Sequence, residues 1–209
     1  MKTREKLIAE ARSLFVRKGV ENTTMLDIAA ASEKGRRTIY TYFRSKKEIY
    51  NAVLEQESEM MVAQLKEICE SDAAPIQKLA DFMRLNLAQA HDEASSVANV
   101  KSLFKFDLRR MHRVRRMVYE KTRIILDSII AEGVASGDFR SERCMLLRSF
   151  IMRCLNGVAF AALDADGTED IGRIHDDFVR FVITDVAASA SLAVYGGGEE
   201  EARKNIISR

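Results

Sequence analysis

Apolar residues recur along this chain at helical spacing, and no segment alternates apolar and polar residues as a strand would. Leu7, Ile8, Ala11, Leu14 and Phe15 fall at i, i+3/i+4 and i+7, and Gly19 follows Arg17 and Lys18 as a stop, which predicts a first helix over 3–18. Thr23-Thr24 offers a cap to a short helix over 25–31, with Met25, Ile28 and Ala29 pointing inward, and the polar run Ser32-Glu33-Lys34-Gly35 ends it. A third helix, Arg36 to about Phe43, starts at once. Two short helices flanking a glycine-containing turn are the layout of a helix-turn-helix.

Longer helices follow. Ser45-Lys46-Lys47-Glu48 reads as a capping box opening a fourth helix that runs to about Cys69. Pro75 suits the first turn of a helix reaching about His91. A shorter helix near 96–106, a long one over 113–135 closed by Ser136-Gly137-Asp138, and helices over 141–163 and 169–193 complete an all-α chain of about nine helices. The expected organisation is a three-helix helix-turn-helix domain over 1–46, a helical regulatory and dimerisation domain over 47–195, and a flexible tail over 196–209 that begins at Gly196–Gly198. Composition agrees: one Pro in 209 residues cannot supply the repeated turns of a sandwich or barrel.

Charge changes the picture. The formal net charge of +2 argues against a polyanionic partner, yet residues 1–50 hold 12 Lys/Arg against 6 Asp/Glu and the rest of the chain 21 against 25. A basic head of +6 therefore precedes a body of −4. On the third helix Ile39 and Phe43 share one side, while Arg37 and Thr41 lie opposite, flanked by Thr38 and Tyr40. One face can pack and the other can meet a partner. Lys34, Arg36 and Arg37 gather positive charge at its start, Arg suits guanine edges in a major groove, and Thr and Tyr hydroxyls suit phosphates or base edges. The plainer alternative is a solvated basic face on a small helical bundle.

Thr23-Thr24-Met25-Leu26-Asp27-Ile28-Ala29, followed by Thr38-Ile39-Tyr40-Thr41-Tyr42-Phe43-Arg44-Ser45-Lys46-Lys47-Glu48, resembles the TetR family of bacterial transcriptional regulators. The resemblance covers about the first quarter of the chain. It implies contacts to double-stranded DNA from Thr24, Arg36, Arg37, Thr38, Tyr40, Thr41 and Tyr42, a phosphate contact from Lys46, a palindromic operator and a homodimer. Two departures stand out. The family's Ala-Gly-Val-Ser turn is here Ser32-Glu33-Lys34-Gly35, and its glycine before the Thr is Arg37. The operator of a relative therefore cannot be assumed.

In the body, Phe150, Ile151, Cys154, Leu155, Val158 and Phe160 leave helix 141–163 little polar surface, so it needs cover on two sides. In helix 169–193, Ile174, Phe178, Phe181, Val182 and Val186 suggest one side on its own chain and another on a second copy; the alternative is a core helix of a monomer. Phe150, Cys154, Val158, Phe178, Phe181 and Val182 are the expected dimer contacts. The resemblance further implies a pocket for a small-molecule effector within the middle helices, and Phe82, Asn86, Phe104 and Tyr119 are the candidates, a polar group among aromatics being what orients a ligand. Five Arg lie within Arg109–Arg116, read as a solvated junction paired with Asp107, Glu120 or acids of the head, the alternatives being an extra phosphate contact or a site for an anionic ligand.

Chemistry of other kinds is missing. His91, His112 and His175 are scattered, which excludes the common zinc spacings, and Asp164-Ala165-Asp166-Gly167 opens like a calcium loop but has His175 at its twelfth position, so no metal and no cofactor is expected. There is no GxSxG, P-loop or dinucleotide motif, and an enzyme is not expected. Three unpaired-looking cysteines (Cys69, Cys144, Cys154) and the absence of an uncharged apolar run of about 18 residues suggest a cytoplasmic protein off the membrane. The expected function is a transcriptional repressor released by a small molecule. A DNA-binding regulator controlled by a protein partner is the alternative, and a helical interaction adaptor the weaker one.

Overall fold

Local signals decide where the first helices begin and end. In the computed structural model, which describes residues 2–98, 108–161 and 171–188 (without the side chains of 89–98, 108–115, 145, 147, 156–161 and 171), helix α1 spans Thr3–Lys18, α2 Met25–Ala31 and α3 Arg36–Tyr42. Longer helices follow as α4 Lys46–Glu70, α5 Pro75–Ala98, α6 Leu108–Ser136, α7 Ser141–Ala161 and α8 Ile171–Val186. Eight helices and no strand occur among the described residues, so the fold is all-α. The helix expected near 96–106 falls largely outside the described residues. α5 continues to Ala98 instead of stopping near His91, α6 begins at Leu108 instead of 113, and α8 ends at Val186.

The chain divides into two compact units, Met1–Met61 with Ser95–Val118, and Val62–Ala94 with Tyr119–Arg209. The core of the first is built by α1, α2, α3 and the first turns of α4. Leu7, Ala11, Ile28, Ile39 and Ile49 are all but sealed from solvent, and Phe15 meets Tyr50 edge-on with ring centroids 5.8 Å apart. Ile49, Tyr50, Ala52 and Val53 thus belong to the same core as the helix-turn-helix.

The second unit is organised around a corner between α6 and α7. Gly137 (φ 82°) ends α6, and the Phe139 N–H donates to the Gly133 carbonyl at 2.9 Å. Phe139, buried, lies so close to Gly133 that a β-carbon there would sit 2.2 Å from its ring. The same corner closes α8: Arg140 N–H donates to the Val186 carbonyl at 2.8 Å, Ala188 N–H to the Asp138 carbonyl at 2.7 Å, and the Arg140 guanidinium to the carbonyls of Thr184 and Asp185. A cation on the last carbonyls favours the helix end. Lys78 on α5, almost wholly buried, donates to both carboxylate oxygens of Glu132 on α6 at 2.8 and 2.9 Å. No helix among the described residues is long and apolar enough to cross a membrane.

Candidate nucleic-acid interface

The helix-turn-helix is held by reciprocal caps. The Thr24 hydroxyl accepts from Asp27 N–H at 3.1 Å, and the Asp27 carboxylate accepts from Thr24 N–H at 2.9 Å. Hydrogen bonding of the carboxylate by Thr24, from its backbone N–H first and its hydroxyl second, keeps the Asp27 carboxyl below its usual range. Thr23 serves differently: it is buried, and its hydroxyl donates to the Gly19 carbonyl at 2.8 Å. Gly35 caps α3 through its backbone, its carbonyl accepting from Thr38 N–H at 3.0 Å. Beyond α3, the Glu48 carboxylate accepts from Arg44 N–H at 2.7 Å, one residue ahead of the Ser45 cap that the sequence suggests, while Ser45 accepts from Glu48 N–H at 3.3 Å.

α3 is two-faced. Ile39 is fully buried and Phe43 nearly so, whereas Arg36, Arg37 and Thr41 are exposed and Tyr40 and Tyr42 remain 43% and 44% exposed. Thr38 is half-buried. The Arg36 guanidinium lies over the Tyr40 ring, 5.9 Å from its centroid, which orders two of the outward side chains against each other. Thr41 donates to the Arg37 carbonyl at 3.0 Å. In that rotamer its hydroxyl can accept from a base amino group but has no hydrogen left for a phosphate.

Lys46, assigned a phosphate contact by resemblance, spends two of its three ammonium hydrogens within the chain. It donates to the carbonyls of Val20 at 2.7 Å and Glu21 at 3.0 Å, tying the start of α4 to the loop after α1. The structure also brings up two groups that sequence reasoning passed over. Arg4, on the first turn of α1, lies over the Phe43 ring at the end of α3, 5.4 Å from its centroid. Lys6 donates to the Glu33 carboxylate in the turn before α3 at 2.8 Å. The basic spacing Lys2, Arg4, Lys6 was the available signal, but it carries no hint of which helix it meets.

In the second unit the candidates separate. Phe82 is fully buried, Asn86 is buried and its amide donates to the Phe82 carbonyl at 2.8 Å, and Tyr119 is half-buried; Phe104 lies outside the described residues. Thr122, also buried, has a hydroxyl without a hydrogen-bond partner among the described residues. On α7 and α8, Ile151, Leu155, Val179, Val182, Ile183 and Val186 turn inward. Val182, expected at a subunit contact, is sealed within its own chain and packs the interior instead. Phe150 and Phe181 are exposed, Cys154 and Phe178 half-exposed, and the two rings Phe150 and Phe178 sit 6.4 Å apart. The side chain of Val158 lies outside the described set, as do those of 109–115 in the arginine-rich run. Glu120, a suggested partner of that run, pairs with Arg123 at 3.2 Å. All three cysteines are free, and burial pushes each thiol up, toward the inert protonated form.

Comparison with known proteins gives a consistent picture. The sequence profile of the family described as "Bacterial regulatory proteins, tetR family" matches residues 7–53. Over 141 residues the chain is 28% identical to the HTH-type transcriptional repressor KstR2 of Mycolicibacterium smegmatis, covering 66% of this chain and 68% of that protein. Among solved structures, a transcriptional regulator from Cytophaga hutchinsonii superposes with a TM-score of 0.76 at 19% identity, covering 88% of this chain and 98% of the other. A transcriptional regulator from Saccharomonospora viridis in complex with choline gives 0.69 at 19% identity, covering 88% and 97%. At such identities the two structures speak for a shared fold.

Proposed function

This chain belongs to the tetR family of bacterial regulatory proteins, and on that premise we propose that it is a homodimeric repressor that reads a two-fold operator through α3 and is released by a small molecule held in its second unit. One observation carries the DNA reading: α3 buries Ile39 completely and turns Arg36, Arg37, Tyr40, Thr41 and Tyr42 outward. That is a short helix with an apolar back and a cationic, hydroxyl-rich front. Arg37 takes the place of the family's glycine and adds a long bidentate donor for a guanine edge, which supports an operator of this chain's own.

The dimer rests on the second unit. Leu146 and Phe150 on α7, with Ile174 and Phe181 on α8, stay exposed while the opposite faces of the same helices are sealed. An apolar seam on two packed helices suits a second copy, and two heads are what a palindromic operator needs. Release by a ligand is supported by the buried Thr122 hydroxyl, which has no hydrogen-bond partner among the described residues, and by a structural neighbour whose complex holds choline. α4 contributes to both units, so a ligand that shifts it in the second would move the first.

Selection of duplexes from a random pool by the purified chain, at stated salt, tests the reading. Recovered sites should carry two-fold symmetry with half-sites about one helical turn or a multiple of it apart. On such a duplex Arg37→Ala should weaken binding about tenfold and Tyr42→Phe about threefold. Unchanged affinity in both variants would remove α3 from the groove, and a flat selection profile would favour the adaptor.

A further inference from the structure

The turn before α3 is closed by backbone bonds and by the buried Ser32 hydroxyl, which donates to the Ile28 carbonyl at 2.7 Å, and does not use the Glu33 side chain. Glu33 N–H donates to the Ala30 carbonyl and Lys34 N–H to the Ala29 carbonyl, both at 2.9 Å, and this closure puts Glu33 in the left-handed region at φ 56°. Glycine meets that requirement without a β-carbon penalty. The carboxylate is thus not needed for the turn, and it sits where it is at some conformational cost.

Its partner is an ammonium from another helix. Lys6 Nζ lies 2.8 Å from the Glu33 carboxylate, which remains 83% exposed against 33% for Lys6. Exposed pairs of this kind add little to stability. Four other carboxylates of the first unit are spent differently: Glu5 accepts from Lys2 N–H, Asp27 from Thr24 N–H and Glu48 from Arg44 N–H, each at a helix start, and Glu57 pairs with Arg12. Glu33 stands three residues before Arg36, within about 11 Å of chain, on the end of α3 that enters a groove first. With a screening length of about 8 Å at physiological salt, a phosphate seated close to that end of α3 would fall within the field of Glu33, and one farther along would not. The Lys6 ammonium also holds the Glu33 carboxyl below its usual range, leaving it ionised at neutral pH.

We infer that Glu33 is a repulsive determinant of DNA affinity on the leading edge of α3 and that Lys6 masks it. The inference rests on the reading of α3 as the DNA-contacting helix. The pair sets the charge that phosphates meet: unmasking Glu33 lowers affinity, and removing it raises affinity without any new contact.

Fluorescence anisotropy tests this with the full chain on two duplexes of about 30 base pairs, one selected from a random pool by the wild-type chain and one of mixed sequence, over a salt series. Glu33→Gln should bind both about threefold more tightly, Lys6→Gln about threefold more weakly, and Lys6→Gln/Glu33→Gln about as the wild type, with all differences shrinking as salt rises. If the pair merely braces the turn, Glu33→Gln weakens binding and lowers the thermal midpoint together with Lys6→Gln. If Lys6 touches phosphate itself, the double variant stays as weak as Lys6→Gln. Either result overturns the inference, as does an unchanged Glu33→Gln. A wild-type chain that binds neither duplex overturns the DNA reading and this inference with it, whereas wild-type binding with an unresponsive Glu33→Gln overturns this inference alone.

Discussion

The two units expose opposite kinds of surface on equally well-sealed cores. In the first, α3 hides Ile39 and Phe43 and presents arginines, hydroxyls and tyrosine rings; in the second, α7 and α8 hide Ile151, Val182 and Ile183 and present Leu146, Phe150, Ile174 and Phe181. An exposed polar helix face is ordinary, and only the clustering of cations at its start singles out a polyanion. An exposed apolar seam is not ordinary and requires cover. On the proposed reading, what each unit's helices leave outside matches its partner: phosphate and base edges for one, the same apolar helix face of a second copy for the other.

Charging the seam is the strongest way to break that contrast. Phe150→Asp combined with Phe181→Asp should abolish association, a loss of about 4 kcal/mol or more if the two rings are central contacts. Both side chains are exposed in the single chain, so far-UV circular dichroism should hold while light scattering after size exclusion falls to the monomer mass. A wild-type chain that is already monomeric would instead leave the seam without a second copy.

Glycines sharpen the comparison from the inside. Gly133→Ala drives a methyl group to 2.2 Å from the Phe139 ring, at a corner that also closes α8, and should cost about 3 kcal/mol in urea unfolding. Gly35→Ala in the head meets nothing within 4 Å, and the backbone there is extended, so it should cost at most about 0.5 kcal/mol. Equal costs would mean that Phe139 swings aside freely. Glu132→Gln lies between: it leaves the buried Lys78 ammonium without its anion and should cost about 2 kcal/mol.

How much of this was legible follows from sequence distance. α1 and α2 were readable to the residue, because their stops and caps, Gly19 and the Thr24–Asp27 box, are contained in a few positions. The sequence carries no sharp stop such as Gly or Pro near His91, so the end placed there is weakly marked, and α5 continues to Ala98. The pairs Lys6–Glu33 and Lys78–Glu132 span 27 and 54 residues, and no periodicity reports them. Phe181 and Val182 are chain neighbours about 100° apart on α8. Only tertiary packing decides that Val182 is core and Phe181 surface. Lys46 was readable as a cation near the site, but its two carbonyl partners come from the loop after α1.

Acid should touch the two units unequally, and this is the smallest effect expected. Asp27 and Glu33, both in the head, have carboxyls held below their usual range, the first by the Thr24 backbone and hydroxyl bonds and the second by Lys6. A carboxyl whose pKa is lower in the folded chain than in the unfolded one contributes stability that is complete above the unfolded value and is lost as pH falls through the folded one. The head should therefore loosen progressively below about pH 5. Amide hydrogen exchange of α2 in the full chain, followed as pH is lowered and corrected for intrinsic rates, reads this directly. Asp27→Asn keeps an oxygen for Thr24 N–H but cannot titrate, so it should flatten the dependence, while Glu33→Gln, whose exposed pair with Lys6 adds little to stability, should leave it nearly unchanged. An identical slope in the wild type and Asp27→Asn would remove the Thr24–Asp27 box as the source of the acid response, and with it the claim that this box holds the start of α2.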